Sequence, residues 1–285
     1  MNATRLLTGG YLVLVFLFLY VPTACVVVYS FNASSLVTVW TGFSGHWYAA
    51  LAQDEELTAA AWTSVQIACA TACASVVMGT WAGFVLHRYE RFAGQTLFTA
   101  MINAPLVIPE VIQGISLLLL FVALQEALGW PPRGMFTVWI GHTMLCLSYV
   151  AITVRARLAG LDGALHEAAA NLGATPLRVF ADITLPLIAP SLLSGWLLSF
   201  TISIDDVLMT AFLTGPDTTL LPMIVFSRAR LGLNPEINAL GTLFIGAVAI
   251  GVFVSNRVAL RRQRRREREQ ALALAGFPED HHPRP

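Results

Sequence analysis

Three carboxylates stand inside apolar stretches of this 285-residue chain: Glu110 in Pro105-Leu-Val-Ile-Pro-Glu, and Asp205 with Asp206 in Ser203-Ile-Asp-Asp. A carboxylate at the centre of a membrane helix costs about 2.5–3.5 kcal/mol on insertion scales, so each one needs a partner or a task. No basic residue shares these stretches, and negative groups lining a low-dielectric path favour a cation. Trp139, Tyr149, Trp196 and Phe200 lie in apolar segments where they can add cation–π contacts, and Trp196 joins Glu110, Asp205 and Asp206 as a candidate pathway residue. Together they suggest an organic ammonium substrate. Adjacent residues on a helix point about 100° apart, so Asp205 and Asp206 do not share one small target. One lines a path while the other pairs with a neighbouring helix. The competing reading is structural: carboxylates that close a gate or satisfy backbone groups freed by Pro105 and Pro109.

Other chemistries lose their residues. The basic residues are seventeen arginines and no lysine, which removes the GxxxxGK[ST] phosphate loop, the Schiff base and the lysine general base. His166-Glu167 does not extend to HExxH, because Ala170 stands where the second histidine belongs. His87 and His142 each stand alone and read as satisfied or interfacial histidines. Cys69 and Cys73 share a helix face at i, i+4, yet no His or carboxylate joins them, so the four cysteines read as small apolar packing groups. No catalytic residue, metal site or bound cofactor is expected on this chain. Any ATP and Mg belong to another polypeptide.

The elements that must position the carboxylates are membrane helices. The chain is 56% hydrophobic and 12% charged, with its apolar residues in long blocks. About 20 apolar residues span the hydrocarbon core, and six segments reach that length: Gly9–Tyr29, Ala60–Leu86, Phe98–Leu124, Met135–Val154, Ile188–Phe212 and Asn238–Val258. The first reads as an uncleaved anchor, since its apolar run is long and no small-residue cleavage site follows. With both termini in the cytoplasm, fourteen of the seventeen arginines fall inside, and the first outer loop carries Asp54, Glu55 and Glu56 without arginine. The expected organisation is a short cytoplasmic segment at 1–8, a six-span domain at 9–258 and an arginine-rich cytoplasmic tail at 259–285. The run Arg261–Gln270 follows a span directly, so it faces anionic lipid rather than nucleic acid.

The loop at 155–187 is too long for a plain connection. Asp162 is placed to cap a helix over Gly163–Leu172, Gly173 suits a left-handed stop, and Thr175 precedes Pro176 at the first position of a second helix ending near Leu185 and Pro186. Leu165, Ala168, Ala169 and Leu172 give the first helix a small apolar face suited to a groove on a partner. The alternative is an amphipathic hairpin lying on the membrane surface.

Spacing decides between these. Glu167-Ala168-Ala169, Gly173, Ile183, Leu185 and Pro186 resemble, at every defining offset, the EAA signature of ABC-importer permeases. The resemblance implies an all-α integral membrane protein of the type I ABC-importer permease fold, whose coupling-helix loop docks on an ATPase. It makes Glu167, Ala168, Ala169, Gly173, Ile183, Leu185 and Pro186 the coupling residues. Further segments resemble the permeases of polyamine importers: Tyr29-Ser-Phe-Asn, Trp40-Thr-Gly-Phe-Ser, Trp47-Tyr48, Asp205-Asp206, Gly215-Pro216 with Leu221-Pro222, and Asn234-Pro-Glu-Ile-Asn-Ala. The likeness runs from about Tyr11 to Asn256 and points to the second permease subunit of bacterial putrescine importers. It departs at Glu110, where Asp is expected, and in the tail. It implies an inner-membrane protein that works with a second permease subunit, an ATPase homodimer and a periplasmic polyamine-binding protein. Spermidine or another small organic cation is the alternative substrate, and a secondary cation transporter the alternative machine.

Overall fold

The computed structural model describes residues 3–36, 39–89, 91–161, 163–231 and 235–250, with Phe253 and Arg257, and gives the backbone alone for residues 3–7, His166 and Leu231. Asp162, Asn234 and the tail at 259–285 lie outside the described residues. In chain order the helices are α1 (Ala3–Tyr29), α2 (His46–Gln53), α3 (Glu55–Arg88), α4 (Gln95–Val107), α5 (Glu110–Leu128) and α6 (Met135–Ala159). They continue with α7 (Ala164–Asn171), α8 (Pro176–Val179), α9 (Leu185–Asp205), α10 (Leu208–Leu213), α11 (Leu221–Leu231) and α12 (Pro235–Ile250). Among the described residues no strand occurs, and five helical stretches are long and apolar enough to cross a membrane, with α12 a shorter apolar helix. The chain divides into two compact units, Met1–Gln53 with Leu233–Pro285, and Asp54–Gly232.

In the first unit the segment between α1 and α2 is organised by Asn32, which is 1% exposed. Its Nδ2 donates to the Val39 carbonyl at 2.7 Å, and its Oδ1 accepts from the Ser34 and Thr41 amides. The Trp47 indole donates to its backbone carbonyl at 2.7 Å. Phe31 stacks on Phe43, and the Ser30 and Tyr48 hydroxyls meet at 2.7 Å. The Tyr29-Ser-Phe-Asn, Trp40-Thr-Gly-Phe-Ser and Trp47-Tyr48 segments are thus parts of one small knot, held by a buried amide that both donates and accepts.

In the second unit α3, α6 and α9 form the core. Ser75 lies opposite Thr143 and Gly79 opposite Val150, so α3 and α6 run parallel; Gly195 meets Val150, Ser199 meets Cys146 and Ser203 meets His142, so α9 runs against both. Glycines set the closeness: a Cβ on Gly79 would sit 2.7 Å from Val150 Cβ, and one on Gly83 2.6 Å from the Ala151 carbonyl. Small residues at such crossings let membrane helices pack by van der Waals contact where apolar burial alone gives no preference for protein over lipid. Parallel α3 and α6 require a return crossing between them, and α4 with α5 supplies it.

Two of the expected continuous spans are broken. The Phe98–Leu124 segment is split into α4 and α5 at Ile108-Pro109. Pro109 has no N–H, so the Pro105 carbonyl one turn earlier loses its donor. Gln113 supplies a replacement: its Nε2 donates to Pro105 O at 2.7 Å and to Ile108 O at 2.6 Å. The Ile188–Phe212 segment ends as a helix at Asp205 and restarts at Leu208.

At the hairpin, Gly173 adopts φ +82°, the Ala174 amide donates to Ala169 O and the Gly173 amide to Ala170 O, the paired bonds of a left-handed helix stop. Pro176 opens α8 as expected, although the Thr175 hydroxyl makes no capping bond. The expected stop at Leu185-Pro186 is corrected. The chain passes from α8 through a π-helical turn, Phe180–Thr184, straight into α9, with the Leu185 amide reaching back to Phe180 O. The wider turn shifts the register one residue before the proline, so Pro186 falls in the first turn of α9, where a missing N–H is tolerated. Phe180 is held between Trp81, stacked at 5.5 Å, and Phe84, edge-on at 5.0 Å, which fixes the hairpin to the end of α3.

At the opposite end Asp54 caps α3 through its Oδ1 and the Leu57 amide, while its Oδ2 receives Arg228 Nη1 at 2.6 Å; Arg228 Nη2 reaches Glu56 at 3.0 Å. The Arg228 guanidinium, and then the Leu57 N–H, hold the Asp54 carboxyl below its ordinary 3.8. A carboxyl lowered in the folded state stabilises above its unfolded pKa, and the contribution disappears as pH falls through the folded value. Arg228→Gln is therefore expected to destabilise the detergent-solubilised protein by about 1 kcal/mol or less at pH 7. In thermal unfolding the gap between variant and parent should close as the pH drops below 3.8. A gap independent of pH would show that the pair contributes through packing alone.

Candidate functional site

The two breaks face one cleft. Glu110 opens α5, Asp205 ends α9 and Asp206 lies in the gap before α10; all three line a cavity of about 350 Å³ with Tyr149, Leu145 and Ile202. Among the described residues no basic side chain joins that lining, and its volume suits a small molecule. The last carbonyls of α9 lack helical donors, so its C-terminal pole adds negative potential beside the carboxylates.

The two aspartates have different surroundings. Asp206 Oδ1 accepts the Met209 amide at 2.8 Å and caps α10, and its side chain is 5% exposed. Asp205 and Glu110 are exposed to the cleft, and neither has an ion-pair partner among the described residues. The separation of roles expected from their 100° offset thus has a geometric form: one carboxylate is committed to the fold and one is open.

Of the aromatics, Tyr149 reaches this cavity. Trp196 does not; it stacks on Phe200 at 5.4 Å, and its indole N–H points to Cys73 Sγ at 3.4 Å. Trp139 lines a separate groove with Gln66 and Phe136.

At the hairpin, Glu167 borders a cavity of about 460 Å³ with His87, Arg88, Ala170 and Phe180, between α7 and the ends of α3 and α6. Ala168 is exposed, Ala169 half-buried, and Leu172 is 89% exposed, with Leu177 also outward. Ile183 is half-buried in the π-helical turn, and Leu185 and Pro186 are exposed at the start of α9. Leu172 and Leu177 thus leave an exposed apolar ridge at the helical corner, of the kind that a protein or a membrane surface covers.

Sequence reasoning missed Gln113 and gave His142 no partners. The signal for Gln113 was present: a proline inside an apolar span orphans the carbonyl four residues before it, and an amide one turn later can reach it. The partners of His142 lie more than sixty residues away and left no local trace.

Residues 75–268, more than half the chain, match the family of binding-protein-dependent transport system inner membrane components. The chain is 51% identical over 266 residues to the putrescine transport system permease protein PotI of Escherichia coli K12, covering 93% of this chain and 95% of that one. It is 36% identical over 255 residues to the spermidine/putrescine transport system permease protein PotC of the same organism, covering 90% and 94%. Among solved structures, a chain of a bacterial alginate ABC transporter, crystallised with its alginate-bound periplasmic protein, matches with a TM-score of 0.71 at 16% identity over 91% of this chain and 94% of that one. The shared architecture is the type I permease fold that the hairpin signature implied, and its membrane helices make this a multi-pass membrane protein. The chain belongs to the binding-protein-dependent transport system inner membrane components, a family of transport subunits rather than enzymes.

Proposed function

We propose that this chain is a permease subunit of an ATP-driven importer and forms, with a second and different permease subunit, the path for a polyamine, putrescine foremost. The observation that carries the reading is the cleft at the two helix breaks, where Glu110 and Asp205 stand open beside Asp206 and, among the described residues, no basic side chain joins the lining. A carboxylate pair in that setting suits an alkyl-ammonium, and the 51% identity to a putrescine permease favours the diamine. Spermidine is the second reading, favoured by the likeness to a spermidine/putrescine permease.

In this reading the permease domain occupies residues 9–258, and its coupling loop, 155–187, docks on a separate ATPase dimer that binds ATP and Mg. A chain without lysine has no phosphate-loop cradle of its own. Glu167, Ala168, Ala169 and Gly173, with Ile183, Leu185 and Pro186, form the coupling surface, and the exposed Leu172 and Leu177 extend it. The arginine distribution supports a topology with both termini and the hairpin in the cytoplasm. The segment between α1 and α3 and the one after α10 then face a periplasmic polyamine-binding protein, and the arginine-rich tail lies against anionic lipid.

The test is reconstitution in vesicles with the cognate ATPase and candidate binding proteins. ATP-dependent uptake of putrescine ahead of spermidine and of a neutral amino acid is expected. Preference for the amino acid overturns the polyamine assignment, and uptake that needs no ATP but follows a proton or sodium gradient overturns the importer assignment.

A further inference from the structure

The break between α9 and α10 contains neither proline nor glycine; its residues are Asp206 and Val207. Ser, Ile, Asp and Val are weak helix formers and Asp206 caps α10, so local chemistry permits a stop here; fixing it at one residue calls for a contact from another helix. His142 on α6 meets the requirement. It is 1% exposed, and its ring reaches across the gap: Nδ1 lies 2.7 Å from Ser203 Oγ in the last turn of α9, and Nε2 lies 3.2 Å from Thr210 Oγ1 in the first turn of α10. Nε2 is also 3.7 Å from Asp206 Oδ2. The nearby carboxylate favours the tautomer with N–H at Nε2, leaving Nδ1 to accept from the Ser203 hydroxyl. The rest of α10 is seated by the same helix. Gly141 admits Met209, whose sulfur would lie 2.9 Å from a Cβ there, and Thr137 Oγ1 donates to the Leu213 carbonyl at 2.7 Å.

We infer that His142 is a positioning residue: by bridging Ser203 and Thr210 it fixes where α9 ends, and so which of the two adjacent aspartates opens into the cleft. Without the bridge the helix gains backbone bonds by running on through Asp206, and each residue of added helix turns the chain by about 100°. That extension draws Asp206 out of its capping place and turns it to a position about 100° from Asp205 on the same helix. The role rests on the proposed reading of the cleft as the substrate path.

The test uses the whole importer, reconstituted with its ATPase and binding protein, and reads two ratios that do not depend on how much permease folds: ATP hydrolysed per putrescine taken up, and putrescine uptake relative to spermidine. His142→Phe fills the space without hydrogen bonds, whereas His142→Gln keeps a donor and an acceptor. His142→Phe is expected to raise ATP spent per putrescine by about tenfold, the scale on which buried hydrogen bonds act, and to shift the selectivity ratio. His142→Gln should restore both to within about twofold, well inside one hydrogen bond's worth. Parental ratios in His142→Phe overturn the inference, as do equal shifts in both variants, which mark a loss of shape alone. Should His142→Phe fail to reach the membrane, Ser203→Ala and Thr210→Val each remove one arm of the bridge, and unchanged ratios in both overturn it equally. If Asp205→Asn and Glu110→Gln leave uptake untouched as well, it is the cleft assignment that has failed. Altered uptake in those two with parental ratios in His142→Phe isolates the failure to the bridge.

Discussion

Asp205→Asn is expected to cut ATP-driven putrescine uptake by about ten- to a hundredfold, since a charge-assisted hydrogen bond contributes about 1.5–3 kcal/mol and each 1.4 kcal/mol is a factor of ten. The substitution keeps the size and polarity of the side chain and removes only its charge. Asp205 is exposed to the cleft without an ion-pair partner among the described residues, so the fold loses little by the change. Glu110→Gln should act in the same direction, because it lines the same cavity from the start of α5. Asp206 offers the contrast. Its carboxylate caps α10, so Asp206→Ala should lower the amount of folded permease, at a cost of about 1 kcal/mol for the cap, before it changes the chemistry of the path. Uptake by purified, reconstituted protein separates the two effects. Normal kinetics in both Asp205→Asn and Glu110→Gln would remove the cleft from consideration as the path.

Ala168→Arg should abolish coupled transport while leaving the spans folded. Ala168 is exposed on α7, three residues after Leu165 and four before Leu172, in the middle of the apolar ridge at the helical corner. An exposed helix position accepts arginine at a cost within about 0.5 kcal/mol, so thermal unfolding of the isolated permease should barely move. A long charged side chain in the centre of a small docking face is a different matter, because burying it unpaired costs several kcal/mol. Copurification of the ATPase and ATP-dependent uptake are the measurements. Wild-type uptake with the arginine in place would show that the ATPase engages another surface.

The hairpin was legible because its signals are local: Gly173 is required by a positive φ, and Pro176 by a helix start. The apolar blocks were legible for the same reason, since hydropathy is summed along the chain, and five of the described helical stretches are long and apolar enough to cross a membrane. What was not legible depends on groups far apart in sequence. The end of α9 at Asp205 is fixed from α6 by His142, and no window centred on residues 200–210 contains that information. Pro109 marked a loosened helix, and the amide that heals it stood one turn later, a signal that counts only once the orphaned Pro105 carbonyl is looked for. Pro186 misled in the other direction. Proline is a dependable stop signal only in a regular α-helix, and the five-residue turn before it widens the coil enough to carry the chain through.

That continuity has a mechanical consequence. From Pro176 to Asp205 the chain is helical for 30 residues, a lever about 45 Å long at the usual rise. One end is the second arm of the docking hairpin, and the other is the open carboxylate of the cleft. Phe180, clasped between Trp81 and Phe84 near the hairpin end, sits where a fulcrum would. A tilt of about 5° about that point sweeps the far end through roughly 3 Å over the remaining twenty-five residues. That distance exceeds the length over which a hydrogen bond survives, so, on the proposed reading of the hairpin and the cleft, a few degrees of rocking at a docked ATPase would make or break the grip on an ammonium group.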